Sequence, residues 1–390
     1  MECGIIQGTI KVFKSDYIVM KKPLFQATNI VHSGLGKSEN GEPFMPGPVF
    51  ASTFHLSGGT DNKTHQYARY DHPTWDVLER AIGDLEHGKT LIFPSGMAAA
   101  AAVMTAVLQK GQTLLLPSDG YHTTRSYAET ILKKFGVDVI TFPTKEIANA
   151  DFTQIDLVFL ETPSNPMLDV IDIKKLAEKI HNSGGLLAID NTTLTPHGQQ
   201  PLLLGADISM CSDTKAMNGH SDVLMGHVAT NNPDLYDSML NWRKLSGSIS
   251  GPMETWLLQR GLSSLDMRLE RMVNNANEIA RFLQSHKSVL SIRYPGLPDD
   301  PSYSIAQNQM KHAGFVISFD LGTKQNADKF LQNTLFIYEA TSFGGMHTMA
   351  ERRARWGADD LPEGLIRLSV GCENVKDIIH DISQALSHIG

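Results

Sequence analysis

The sequence predicts an α/β fold: a doubly wound, mostly parallel sheet followed by a smaller C-terminal α+β domain. Three observations carry this reading. Six short, apolar, β-branched runs recur between residues 90 and 211, each separated from the next by helical or turn-like sequence. Their apolar character is continuous rather than alternating, which is what strands covered on both faces require. Beyond about residue 250 the pattern changes to a long amphipathic helix followed by strands with apolar alternation. Strand–helix alternation of the first kind places ligands at the carboxyl ends of the strands.

Taken in order, residues 40 to 66 are rich in Gly, Pro, Ser, Thr and Asn and read as an irregular arm. Met20 followed by Lys21 and Lys22 resembles a second start, so the first nineteen residues read as a dispensable extension. Trp75, Leu78, Ile82 and Leu85 share one helical face that ends near His87-Gly88. The apolar runs are Thr90–Phe93, Thr113–Leu116, Val137–Phe142, Leu157–Leu160, Leu186–Ile189 and Ile208–Cys211. Helices are expected over Gly96–Leu108, Ser126–Phe135 and Ile173–Ser183. One long helix is expected from Met253 towards His286, then strands over Phe315–Leu321 and Leu365–Val370, with Leu297–Pro301 as an exposed loop. The chain thus divides into an extension and arm (1–66), a ligand-binding domain (67–255) and a C-terminal α+β domain (256–390).

Composition narrows the function. A chain of 390 residues can bury full cores without staples. Its net charge of −8 repels a phosphate backbone and argues against nucleic-acid binding. Three scattered cysteines (Cys3, Cys211 and Cys372) form no disulfide framework or zinc ribbon, so a reducing cytoplasm is the expected setting. The longest apolar run, Ala98–Leu108, is too short to cross a membrane, which takes roughly 20 residues. No pair of histidines has a helical ligand spacing with a third partner, so no metal is assigned.

Gly83-Asp-Leu-Glu-His-Gly88-Lys89-Thr90 matches a P-loop pattern literally. That loop needs a strand before it and a helix after it, so that amides cradle phosphate at a helix start. Here a helix precedes and a strand follows, so the nucleotide-binding reading is set aside.

A better anion cradle lies just downstream, where Leu91–Phe93 runs through Pro94 and Ser95 into a helix opening at Gly96 and Met97. Alone it is no more than a capped helix. Two further strand ends change the balance: Asp190 closes the run Leu186–Ile189, and Lys215 follows Ile208–Cys211 with Ser212 and Thr214 beside it. An anion cradle, a strand-end carboxylate and a strand-end lysine together meet the needs of pyridoxal phosphate. The phosphate needs the cradle, the pyridinium needs a carboxylate, and the aldehyde needs an amine.

The sequence resembles the Cys/Met-metabolism enzymes dependent on pyridoxal phosphate, the group of cystathionine γ-synthase, cystathionine γ- and β-lyases and methionine γ-lyase. The motifs run in order from Tyr67-Ala-Arg69 and Ser95-Gly-Met-Ala-Ala99 through Glu161-Thr-Pro-Ser-Asn-Pro166 and Ala188-Ile-Asp-Asn-Thr192. They continue through Ser212-Asp-Thr-Lys-Ala-Met-Asn-Gly-His-Ser-Asp222 to Arg367-Leu-Ser-Val-Gly371. The resemblance implies the fold of type I pyridoxal enzymes, similar to aspartate aminotransferase. It further implies that Lys215 holds the cofactor as a Schiff base and acts as catalytic base, and that Asp190 pairs with the ring nitrogen. Gly96, Met97, Ser212 and Thr214 would bind the phosphate, Tyr121 would stack on the ring and assist proton transfer, and Asn165 would bond the ring hydroxyl. Arg367 and Ser342 would hold the substrate carboxylate. Tyr67 and Arg69 would reach the phosphate of a neighbouring subunit, which implies a homo-oligomer, at least a dimer and in this family a homotetramer.

There are departures from the family pattern. Ala68 and His72 stand where Ser/Thr and Asn are common, and Gly120-Tyr121-His122-Thr123-Thr124 replaces a commoner Tyr-Gly-Gly-Thr. Thr341 stands where enzymes acting at the γ carbon commonly carry Glu. The expected activity is therefore carbon–sulfur cleavage of L-cystathionine, leaning to β over γ elimination, with γ-synthase and methionine γ-lyase as alternatives.

Overall fold

The computed structural model describes residues 25–35, 39–56, 58, 65–357 and 361–389. The expected extension at residues 1–19 and Cys3 lie outside them, as does part of the arm.

The described residues form a seven-stranded and a five-stranded sheet. The strands of the large sheet are β1 (Lys89–Phe93), β2 (Thr113–Pro117), β3 (Asp138–Phe142), β4 (Leu157–Glu161), β5 (Leu186–Asp190), β6 (Ile208–Cys211) and β7 (Gly226–Thr230). Their order is β1-β7-β6-β5-β4-β2-β3. Only β7 runs against its neighbours, so six strands point the same way. β4, β5 and β6 are buried almost throughout, as their unbroken apolar runs predict, while β3 at the edge is mostly exposed. β7 was not anticipated. Its sequence, Gly-His-Val-Ala-Thr, is short and polar, and it folds back beside β6 so that His227 sits opposite Cys211.

The helix Pro73–Glu86 buries the expected Trp75, Leu78, Ile82 and Leu85. His72 caps it: ring Nδ1 accepts the Thr74 N–H at 3.2 Å. Gly83 lies inside this helix and His87 ends it in the left-handed region (φ 55°), so the P-loop pattern marks a helix stop feeding β1. The Ala-rich helix Gly96–Val107 packs against the sheet, capped by Ser95 Oγ accepting the Ala98 N–H at 3.0 Å. The expected helix over Ser126–Phe135 is instead His122–Thr130 followed by a 3₁₀ turn at Leu132–Phe135.

The single helix expected over Met253–His286 is two, Pro252–Leu262 and Leu265–Gln284. Arg268 stabilises the break. Its guanidinium donates to the Gly261 carbonyl at 3.0 Å and also to those of Ala216 and Met217, at 2.7 and 3.1 Å. The helix break is thereby tied to the loop that follows Lys215.

The small sheet contains β8 (Ser291–Arg293), β9 (Val316–Asp320), β10 (Tyr338–Glu339), β11 (Met349–Arg352) and β12 (Leu365–Ser369), in the order β10-β11-β12-β9-β8. β12 lies antiparallel between β11 and β9, with Glu351 opposite Arg367. The segment Leu297–Pro301 is only partly the exposed loop expected. Asp300 is buried and accepts the N–H groups of Tyr294 and Ser302 at 2.9 and 2.7 Å. Among the described residues no helix is long and apolar enough to cross a membrane.

Candidate active site

The carboxyl ends of β1, β4, β5 and β6 share one edge of the large sheet, and the small sheet faces them across a cavity of about 340 Å³. Gly96, Met97, Tyr121, Asn165, Asp190, Ser212, Thr214, Lys215, Ser342 and Arg367 all line it. Tyr67 and Arg69 do not. Both are on the arm side, where Arg69 donates to the Lys244 carbonyl at 2.9 Å and lies 4.9 Å from the Tyr70 ring. Their expected role concerns a second chain's site.

The anion cradle is close-packed backbone. A Cβ on Gly96 would meet Ser212 Cβ and Oγ, each at 2.6 Å, and one on Gly226 would meet Gly96 Cα at 2.7 Å. Only glycines allow the helix start, the lysine loop and β7 to approach this closely. Gly96→Ala is expected to weaken pyridoxal phosphate binding about tenfold or more, through displacement of Ser212. Titration of cofactor-free protein with pyridoxal phosphate reads this. Thr214 contributes less freely than Ser212: its hydroxyl donates to the Met225 carbonyl at 3.2 Å and accepts the Met225 N–H at 3.1 Å.

At the end of β5, Asp190 Oδ1 accepts the Thr192 N–H at 3.0 Å and its hydroxyl at 2.5 Å. Glu161 is its cross-strand neighbour, with Oε2 accepting the Tyr121 N–H at 3.1 Å. Burial raises the pKa of both carboxyls, and Asp190 beside it drives Glu161 well above the usual carboxylate range. The two Thr192 donors oppose that rise at Asp190. A buried carboxylate at Asp190 calls for a cationic partner, such as a pyridinium.

Lys215 Nζ donates to Ser342 Oγ at 2.6 Å and lies 5.1 Å from the Phe343 ring centre. Burial, with Arg367 nearby, lowers its pKa to about 8, which makes the neutral amine accessible. Ser342 holds its position with φ 82°, a strained conformation for a non-glycine residue. Arg367 is buried. It donates to Asn165 Oδ1 at 2.9 Å, to the Ser342 carbonyl at 2.8 Å and to Glu351 Oε1. Tyr121 opens the helix His122–Thr130 half-exposed at the cavity, its ring edge-on to His122 at 5.3 Å.

Glu161, Thr192, Thr341, Phe343, Arg353 and Trp356 also line the cavity, with Glu351 behind them; sequence alone gives none of them a role, and Thr341 stands out only by its type. Glu161 and Thr192 lie within the family motifs at strand ends, so their signal is present in the sequence. Glu351 and Arg353 carry no local signal, because only the β11–β12 pairing brings them to Arg367.

His227 packs behind the lysine loop. Its two ring nitrogens meet Asp213 Oδ1 at 2.7 Å and Glu86 Oε1 at 2.9 Å, and Ser209 donates to the same Glu86 oxygen. Cys211, Asp213 and His227 place ligand-type atoms within 4.8 Å of one another. The imidazole is already engaged on both sides, however, and burial pushes the Cys211 thiol up, away from the thiolate a metal needs.

An amide cradle, a buried carboxylate, a lysine with lowered pKa and a buried arginine around one cavity fit a phosphorylated pyridine aldehyde together with an amino acid. Comparison with known proteins agrees. The family described as Cys/Met metabolism PLP-dependent enzyme matches residues 27–387. A Streptomyces coelicolor protein provisionally assigned as a cystathionine γ-lyase is 45% identical over 92% of this chain and 93% of its own. A cystathionine β-lyase from Lactococcus lactis subsp. cremoris is 36% identical over 92% of this chain and 98% of its own. The crystal structure of a cystathionine γ-synthase from Xanthomonas oryzae pv. oryzae in complex with cystathionine superimposes with TM-score 0.90 at 33% identity. That match covers 94% of this chain and 99% of the other. The chain belongs to the Cys/Met-metabolism family and is a pyridoxal-phosphate-dependent enzyme with the type I fold.

Proposed function

We propose that the protein is a carbon–sulfur lyase that cleaves L-cystathionine by elimination. The observation that carries this is the convergence of Lys215, Asp190 and Arg367 on one cavity whose wall includes Thr341. Pyridoxal phosphate, when bound, supplies an aldehyde for the substrate amine and a ring that takes up the charge left at the α carbon. The amides of Gly96 and Met97, with Ser212 and Thr214, would hold its phosphate; Asp190 would keep the ring nitrogen protonated and Asn165 would meet the ring hydroxyl. Tyr67 and Arg69 of a second copy complete the phosphate pocket, so the working unit is a homo-oligomer.

Arg367 and Ser342 fix the substrate carboxylate and so orient the α C–H bond. Lys215, with its pKa near 8, removes the α proton as a neutral amine, and Tyr121 assists proton transfer at the substrate amine. Thr341 offers no carboxylate for a second proton removal at the β carbon, which favours β-elimination. The γ reading is supported by the provisional name of the 45% identical relative.

Product analysis with L-cystathionine decides between them. β-Elimination releases homocysteine, pyruvate and ammonia; γ-elimination releases cysteine, 2-oxobutyrate and ammonia. We expect pyruvate to exceed 2-oxobutyrate. Predominant 2-oxobutyrate would overturn the regiochemistry, and cystathionine formation from O-acylhomoserine and cysteine in preference to either would overturn the lyase assignment.

A further inference from the structure

Arg367 does not meet the cavity alone. Oε1 of Glu351, its cross-strand neighbour on β11, accepts from Arg367 and also from Arg353 Nη1 at 2.8 Å. Oε2 accepts the indole N–H of Trp356 at 3.2 Å. Arg353 and Trp356 both line the cavity. Arg353 is only 8% exposed, yet Nε of its guanidinium has no partner among the described residues. A guanidinium carries five N–H donors, and burying it with donors unmet is costly unless a ligand supplies acceptors.

Two nitrogens sharing one acceptor oxygen lie within about 6 Å of each other, so an anion bound at Arg367 is in the field of both. Consistent with this proximity, Arg353 adds to the burial that lowers the Arg367 pKa, against the opposing pull of Glu351. The charge count is also informative. Glu351 by itself would neutralise Arg367 and repel an incoming carboxylate. Two guanidiniums against one carboxylate leave a single positive charge, which matches one carboxylate.

We propose that Arg353 is a second arginine of the substrate-carboxylate site, coupled to Arg367 through Glu351, so that the cavity selects amino acids over amines lacking the α-carboxylate. This rests on the pyridoxal reading of the site. The test compares wild type, Arg353→Gln and Arg353→Lys as holoenzymes, titrated with L-alanine and with ethylamine and followed by their visible spectra. For Arg353→Gln, the expected result is an unchanged cofactor band, L-alanine affinity weakened about tenfold to a hundredfold, and ethylamine affinity unchanged. Arg353→Lys keeps the charge without the fork, so its L-alanine affinity should fall between the two, and it serves alone if the Gln variant does not fold.

Equal weakening for both ligands would overturn the proposal, as would L-alanine affinity unchanged in the variants. A wild type without a visible band would instead contradict the cofactor reading beneath it.

Discussion

Lys215→Ala is expected to lower turnover of L-cystathionine by on the order of 10⁴-fold or more, because one side chain carries two roles. Its amine would anchor the cofactor's aldehyde, and the same nitrogen, as a neutral amine, would take the α proton. The environment is built for the second role. Burial and Arg367 bring its pKa to about 8, and Ser342 Oγ at 2.6 Å aims the amine. Among the described residues no other lysine lines the cavity to replace it. Assay of 2-oxo acid release reads the effect; residual turnover above about one per cent of wild type would contradict both roles.

His227→Leu is expected to cost about 3–5 kcal/mol of stability, since it leaves two carboxylates buried without their cation. His227, Asp213 and Glu86 are all fully buried, and among the described residues one oxygen each of Asp213 and Glu86 lacks a partner. Burial alone would lower the imidazole pKa, but Asp213 and Glu86 outweigh it and hold it at about 10, above its ordinary 6.5. A raised pKa in the folded state fixes the sign. The stabilisation is fully present below about pH 6.5 and is lost as pH rises towards about 10. Urea unfolding of cofactor-free protein across that window checks both statements. A variant with an unchanged midpoint, or a pH slope identical in wild type and variant, would contradict them. Asp213 stands two residues before Lys215, so weaker cofactor retention should accompany the loss.

The parts of the fold legible in the sequence were those with one strong physical signal. Continuous apolar runs marked β4, β5 and β6, because burial on both faces leaves no room for polar residues. The same logic made Asp190 and Lys215 conspicuous as charges at strand ends. β7 escaped because its polar composition is tolerated only where His227 finds two carboxylates, one of them on a helix 141 residues earlier in sequence. The break between Pro252–Leu262 and Leu265–Gln284 was hidden because both helices keep the same apolar face, while the cap comes from Arg268 bonding distant carbonyls. Arg353 and Glu351 escaped for the same reason. Their meaning depends on the register of β11 against β12, a long-range pairing that no local window contains. His72, which departs from the family's usual residue, found a local use as a helix cap.

Whether Lys215 carries pyridoxal phosphate in this cavity is read from the visible absorption spectrum of the purified protein, before and after borohydride. The expected result is a yellow band that borohydride bleaches, with the cofactor then fixed to the peptide containing Lys215. A protein that stays colourless after added pyridoxal phosphate, or a label found on another lysine, would contradict it.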